Sequence, residues 1–95
     1  MTPTRLLSEL ETVAARLGIG LRVERLGTEG VRARGGLCRI HGRTLILVDE
    51  ALPIEDRIAV LAKALSAFDL SPIYLPPIVR ARIEASAQLT PGAVW

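Results

Sequence analysis

The sequence contains few of the residues that build catalytic and metal-binding sites. Among its 95 residues there is one cysteine, Cys38, and one histidine, His41. A single cysteine cannot form an internal disulfide, which favours a protein of the reducing cytoplasm. The two residues are three positions apart in a strand-forming segment, so their side chains are expected on opposite faces and cannot bind one metal ion together. We therefore expect a buried structural Cys38, an exposed His41, no metal and no cofactor.

Long apolar runs and nucleotide-binding motifs are also absent. The longest apolar runs, residues 45–48 and 58–62, are much shorter than the roughly 18 residues that cross a membrane. Residues 1–9 lack the apolar core of a secretion signal. The glycines form no phosphate-binding loop, and the serines form no nucleophile motif. We expect a cytoplasmic chain that does not cross a membrane and is not an enzyme.

The sequence does contain enough apolar material for one domain. A chain of this length buries roughly 60 to 70% of the surface of its unfolded form without disulfides or metals. We predict a single domain over residues 1–90 and a tail over residues 91–95. The formal charge of +2 is uneven, because residues 20–43 carry six arginines against two glutamates and the following segment is acidic. This asymmetry favours contacts between copies or with charged partners, although genome composition also produces a preference for arginine.

The first two elements are predicted to be an amphipathic helix and a strand. Pro3 suits the first helical position, Thr2 can cap the helix, and Gly18 suits its end. Residues 19–24 then alternate between apolar and other residues, which is typical of a half-buried strand. The helix has an apolar face that consists of Leu6, Leu10, Val13 and Leu17.

Two strand-forming segments, residues 36–41 and 44–49, predict a tight hairpin. They are separated by Gly42 and Arg43, a pair typical of a type II′ turn. In that register Cys38 faces Leu47. One hairpin face is wholly apolar, and we assign it to the core; it consists of Cys38, Ile40, Leu45 and Leu47. The other face is mixed, and we expect it to be partly exposed or covered by another element; it consists of Leu37, Arg39, His41, Thr44, Ile46 and Val48.

Residues 54–68 are predicted to form the most apolar helix. Pro53 suits its start, and the negative charges of Glu55 and Asp56 suit its N-terminus. A further helix is predicted to begin at the proline pair 76–77. The fold class is therefore α+β, with an N-terminal helix, a small antiparallel sheet of about three strands, and two helices packed on the sheet. The second helix has an apolar stripe that consists of Ile54, Ile58, Leu61, Leu65 and Phe68.

Two candidate binding surfaces follow from this layout. An apolar surface for a protein partner or a second copy consists of Leu37, Ile46, Val48 and Tyr74. A basic patch that would contact nucleic-acid phosphates consists of Arg22, Arg32, Arg34, Arg39 and Arg43. Residues 20–43 contain no aromatic residue for base stacking and no recognition helix, so a solvated arginine-rich surface explains the patch as well.

The order of the segments resembles the front half of an ImmA/IrrE-type metallopeptidase. The residues that carry the resemblance are Leu17-Gly18-Ile19, the hairpin 36–49, and residues 57–62, which read Arg-Ile-Ala-Val-Leu-Ala. In that family a helix and a small sheet precede a helix that bears His-Glu-x-x-His. The resemblance covers roughly residues 6–70, and a layout shared by chance with other small α+β domains explains the same pattern.

The metal site of that family is missing at the matching positions. In register, its two histidines and its glutamate would stand where this chain has Lys63, Ala67 and Ala64. Alanine cannot bind zinc or take up a proton, so the family's activity does not carry over. Lys63 and Ala67 lie off the predicted apolar stripe and Ala64 nearer its edge, so restoring the motif is expected to leave folding largely intact. The resemblance thus implies a small, degenerate bacterial-type domain with a non-catalytic role in protein binding or homodimerisation, with nucleic-acid binding as the alternative.

Overall fold

The computed structural model describes residues 1–26 and 35–88 of the chain. The elements are α1 (Pro3–Arg16), β1 (Gly20–Glu24), β2 (Gly35–Ile40), β3 (Arg43–Asp49), α2 (Ile54–Leu65) and α3 (Pro77–Gln88). This order confirms the α+β class. Two members of the predicted basic patch, Arg32 and Arg34, and the predicted tail 91–95 lie outside the described residues.

Helix α1 begins and ends where its sequence predicts. Thr2 Oγ1 accepts a 3.2 Å hydrogen bond from the Arg5 backbone N–H, which satisfies one of the free donors of the first turn. Just beyond the helix, Gly18 has a φ of +74°, a conformation that glycine adopts without steric cost. The apolar face of α1 places Leu10, Val13 and Ala14 in the core.

The sheet is mixed, whereas the sequence predicted an antiparallel one. Its order is β1-β3-β2, with β2 antiparallel and β1 parallel to β3. The hairpin occupies one edge of β3, so β1 pairs with the remaining edge. A parallel pair needs a long crossover, which the chain between Glu24 and Arg43 supplies. At the Glu24–Asp49 end of the β1–β3 pairing, the Glu50 N–H donates a 2.9 Å hydrogen bond to the Glu24 carbonyl oxygen.

The hairpin turn lies one residue earlier than predicted. Ile40 faces Arg43, so His41 and Gly42 form the loop. Their φ values of +51° and +77° are those of a type I′ turn, whose twist matches that of the strands. The predicted type II′ turn required Gly42 at the first loop position, whereas Gly42 takes the second. Histidine is one of the few side chains that tolerate the left-handed conformation at the first position.

The hairpin faces keep their predicted members, but the face in the core is the opposite one. Ile46 is 0% exposed, Val48 is also buried, and Leu37 packs against the core. Helices α1 and α2 contact each other and the sheet on that side. Leu37, Ile46 and Val48 therefore cannot form the predicted partner surface in this fold. Cys38, predicted to be buried, is only half-buried.

The third strand explains why the wholly apolar hairpin face is not the buried one. In the parallel register, Leu21 is level with Ile46, which adds an apolar residue to that face. Arg22 is level with Leu47, so its charge falls on the other face. Burying that face beneath the helices would remove the Arg22 guanidinium from water, at a free-energy cost of about 2 kcal/mol or more. The sheet therefore turns its less charged face toward the helices.

Helix α2 is the central element of the fold and is buried on more than one side. Ile58, Leu61 and Leu65 of the predicted stripe are buried, and so are residues outside the stripe, among them Ala64. Helix α2 packs on the sheet with one side and on α3 with another. The helix ends at Leu65, three residues before the predicted end.

Helix α3 lies on the other helices, not on the sheet as predicted. Its buried residues Val79 and Ile83 join the core beside α2. Among the described residues it contacts α2 and α1 and none of the strands. The described helices thus lie on one face of the sheet only. No helix in residues 1–26 or 35–88 combines the length and apolarity that crossing a membrane requires.

Candidate functional site

The sheet face turned away from the helices is the main candidate surface. We call it the outer face. No described helix packs on it. Its members follow from the strand register and the alternation of side chains along a strand. They are Gly20, Arg22 and Glu24 of β1, Gly36, Cys38 and Ile40 of β2, and Arg43, Leu45, Leu47 and Asp49 of β3.

The middle of the outer face is apolar and partly accessible. Leu45 and Leu47 of the central strand are half-buried, as is Cys38 beside Leu45. Ile40, at the turn end of β2, is 38% exposed. Gly20 leaves its side of β1 free for Leu45, because a Cβ on Gly20 would overlap Leu45 Cδ2. An apolar sheet face without a helix is a common feature of association surfaces.

The two ends of the outer face carry opposite charges. Arg43 opens β3 at one end, and Asp49 closes it at the other, next to Glu24. Asp49 Oδ1 accepts a 3.0 Å hydrogen bond from the Ala51 backbone N–H. Arg43 forms no ion pair within the described part of the chain. The face is therefore a polar frame around an apolar centre.

The predicted basic patch does not form one continuous surface among the described residues. Arg22 and Arg43 lie on the outer face, whereas Arg39 is level with Thr44 and belongs to the face of Ile46. The Arg22 Nε lies 2.7 Å from Glu24 Oε2, so part of its charge is neutralised. Arg25 is likewise 3.5 Å from Glu50 Oε1. The positive field of the described arginines is thus divided and partly compensated.

The three positions that match the metallopeptidase motif do not share a helix face. Lys63 is half-buried near the end of α2, and Ala64 is fully buried, not near the edge of the apolar stripe as predicted. Ala67 is exposed and lies beyond the last residue of the helix, Leu65. Two ligands four residues apart converge only when both are helical. Within residues 1–26 and 35–88, no three His, Cys, Asp or Glu side chains are grouped so as to hold a metal ion.

A second exposed apolar area lies in the segment before α3 and in the first turn of α3. Tyr74, which was predicted from the sequence to lie on a partner surface, is 78% exposed. Ile78 at the start of α3 is 50% exposed. Tyr74 and Pro76 border a shallow groove of about 230 Å³ beside Arg16 of α1. The described lining of this groove does not include Leu37, Ile46 or Val48, with which Tyr74 was grouped from the sequence.

A cleft of about 500 Å³ lies at the Arg43 end of the sheet. Phe68 and Leu17 line one side, and Thr44 and Leu45 line the other. Among the described residues that line it, Arg43 is the only charged one. The cleft therefore extends the outer face toward α1 and provides no set of groups for acid–base chemistry.

Comparison with known proteins gives no further assignment: no protein family, no curated protein and no solved structure matches the chain. The relationship to ImmA/IrrE-type peptidases stays a prediction from the sequence pattern.

The sequence does contain a signal for the outer face. The alternate residues of β3 on this face begin with Arg43 and end with Asp49, whereas the intervening set contains Ile46 and Val48 and no arginine. A strand set with a charge at each end is poorly suited to the core. The charged ends of β3 therefore count against burying this face, whereas its apolar centre favours burying it, so the hairpin alone does not decide which face is exposed.

Proposed function

We propose that this chain is a non-catalytic protein-association module that binds its partner through the outer face. The observation that carries this proposal is the partly accessible apolar surface of Leu45, Leu47 and Ile40 on a sheet whose other face is covered by helices. Burying apolar area on association provides about 25 cal/mol for each Å² removed from water. The charged ends of the face supply orientation.

The non-catalytic part of the proposal rests on the sequence. Lys63, Ala64 and Ala67 stand where an ImmA/IrrE-type peptidase would have its ligands and base. We also propose a reducing, cytoplasmic environment, because the only cysteine, Cys38, has no partner for a disulfide within the chain.

A pair of matched variants tests the use of the outer face. Ile40→Lys places a charge on the outer face, and Ile78→Lys places the same charge on α3, at a position of similar exposure. The tagged full-length chain is expressed in its native cells and captured together with bound proteins, including untagged copies of itself. We expect the wild type and Ile78→Lys to capture the same protein and Ile40→Lys to lose it. Equal capture by both variants contradicts the proposal.

Nucleic-acid binding is the less supported alternative. The described residues of the basic patch, Arg22, Arg39 and Arg43, lie on two faces of the sheet. Arg22 also forms an ion pair with Glu24. A salt titration of DNA and RNA binding distinguishes the two functions, because phosphate contacts give an affinity that falls steeply with salt. The alternative requires salt-sensitive binding that weakens when Arg32 and Arg34 are replaced by alanine.

A further inference from the structure

We propose that the partner on the outer face is a second copy of this chain, stacked face to face. The two-fold axis lies between the two sheets, runs across the strands, and is level with Ile46. This inference rests on the proposed function, and it specifies the occupant of the same face.

The outer-face residues of β3 are self-complementary. They follow one another, every second residue, as Arg43, Leu45, Leu47 and Asp49. An axis across the strands reverses the strand direction of the second copy. It therefore places Arg43 over Asp49 of the second copy, and Leu45 over Leu47 of the second copy. Each contact occurs twice, which gives the apolar centre and charged rim of a two-fold interface.

The same charges exclude the other face-to-face arrangement. An axis parallel to β3 would place Arg43 over Arg43 of the second copy and Asp49 over Asp49 of the second copy. Like charges that meet in an interface cost free energy and suppress that mode of association. The charge order thus selects the axis that runs across the strands.

The neighbouring strands fit this arrangement sterically. Arg22 is level with Leu47 and Gly20 is level with Leu45, so the axis places Arg22 over Gly20 of the second copy. On the other edge it places Cys38 over Gly36 of the second copy by the same register. Each larger side chain therefore meets a glycine, which matters because packed sheets are only about 10 Å apart. Because β1 is an edge strand of the described sheet, the Arg22 guanidinium can extend to the rim and remain in water, which a cover of helices would not allow.

The charged residues are free to form the contacts between copies. Arg43 forms no ion pair in the described part of the chain. Asp49 uses Oδ1 to bind the Ala51 N–H, which leaves Oδ2 for an arginine. The strands of two packed sheets cross at about 30°. Arg43 and Asp49 each lie ~10 Å along the strand from the two-fold axis, so this angle shifts Arg43 sideways from Asp49 of the second copy by about 5 Å. An arginine side chain spans that offset.

The size of the face predicts a weak dimer. From Arg43 to Asp49 the strand is about 20 Å long, and three strands span about 15 Å with their side chains. The resulting area is below the roughly 800 Å² per partner of a standard interface. We expect dimerisation that depends on protein concentration and weakens at high salt.

Charge reversal tests the arrangement by sedimentation equilibrium of the full chain over a concentration series. Arg43→Asp alone and Asp49→Lys alone each replace two attractive contacts by two repulsive ones. We expect each to raise the dimer dissociation constant at least about tenfold. An equimolar mixture of the two variants restores dimerisation, because in the mixed dimer both facing pairs again have opposite charge. Native mass spectrometry should find one copy of each variant in that dimer.

Two controls accompany the charge reversals. Arg80→Asp makes the same change on the exposed side of α3 and should leave the dissociation constant unchanged. Asp49→Asn keeps an acceptor for the Ala51 N–H while it removes the charge, and should weaken the dimer less than Asp49→Lys does. Circular dichroism of each variant establishes that it is folded.

Three results overturn the inference. The wild type is monomeric at all concentrations, or the single charge reversals leave its dimer dissociation constant unchanged, or the mixture of the two folded variants does not recover dimerisation.

The proposed function fails separately. If the wild type is monomeric but Ile40→Lys loses a captured protein that Ile78→Lys retains, the outer face binds a different partner. If neither self-association nor face-dependent capture occurs, both proposals are wrong.

Discussion

Gly35, the first residue of β2, packs directly against the backbone of Leu47 on β3. A Cβ on Gly35 would overlap the Leu47 carbonyl oxygen, and the φ of Gly35 is +122°. Glycine alone among the amino acids meets both conditions without distortion. This close approach lies at the end of the hairpin away from the turn, where Gly35 pairs with Val48.

Gly35→Ala is therefore expected to be strongly destabilising. We expect the free energy of unfolding in urea to fall by about 2 kcal/mol or more, because the backbone of β3 has to move. Gly18→Ala is the matched control, since Gly18 also has a positive φ but no atom lies within contact distance of its added Cβ. Its expected cost is about 1 to 2 kcal/mol, from the backbone conformation alone. Equal losses for the two variants would show that Gly35 does not approach Leu47 closely.

Restoring the metallopeptidase motif is expected to disrupt the fold, contrary to the expectation from the sequence. Ala64 is 0% exposed, so Ala64→Glu buries a carboxyl group among apolar residues. We expect a loss of several kcal/mol, about 3 or more, or a failure to fold. Ala67→Glu makes the same change at an exposed position and should cost less than about 0.5 kcal/mol. Thermal and urea unfolding of both variants measure the difference, and a stable Ala64→Glu protein would show that position 64 is accessible.

The assignment of the two sheet faces predicts unequal effects of the same truncation. Ile46→Ala removes a fully buried side chain beneath the helices and should cost about 2 to 5 kcal/mol. Ile40→Ala, on the outer face, should cost less than about 1 kcal/mol in the monomer. Unfolding must be measured at a concentration low enough to avoid association. The reverse order of the two losses would support the core predicted from the hairpin pattern.

Asp69 provides a pH-dependent contribution in the turn that follows α2. The Ser71 hydroxyl and the Ser71 backbone N–H both donate to Asp69 Oδ1, at 2.6 and 3.0 Å, and hold the pKa of this exposed carboxyl below its ordinary value. A lowered pKa in the folded state means that the contribution is present above the ordinary pKa of aspartate. It is lost as the pH falls through the lowered pKa.

Ser71→Ala removes the hydroxyl donor and should raise the pKa of Asp69 toward its ordinary value. Titration of the Asp69 carboxyl carbon by NMR measures both values. The effect on acid unfolding is expected to be small because the group is exposed. An unchanged Asp69 pKa in the variant would show that the Ser71 hydroxyl does not bind the carboxylate.

The sequence determined where the helices begin and how α1 is capped, because these features depend on neighbouring residues. Thr2 and Pro3 at the start of α1 and Gly18 after its end act within one turn of the chain. The local sequence also determined which residues share each hairpin face. The observed register differs from the predicted one by two residues, since Cys38 pairs with Leu45 and not with Leu47, and a shift of two leaves every side chain on its own face.

The tertiary structure decided which of these faces became the core. The hairpin alone favours burying Leu45 and Leu47, and only the parallel pairing of β1 places the charge of Arg22 beside them. Likewise, the stripe on α2 indicated one buried side, whereas packing against both the sheet and α3 also buried Ala64. Contacts between residues distant in sequence determine burial, and the periodicity of one segment does not contain them. The outer face, with Arg43 and Asp49 at its ends, stays exposed because the charged residues of all three paired strands together set the free-energy cost of burying it.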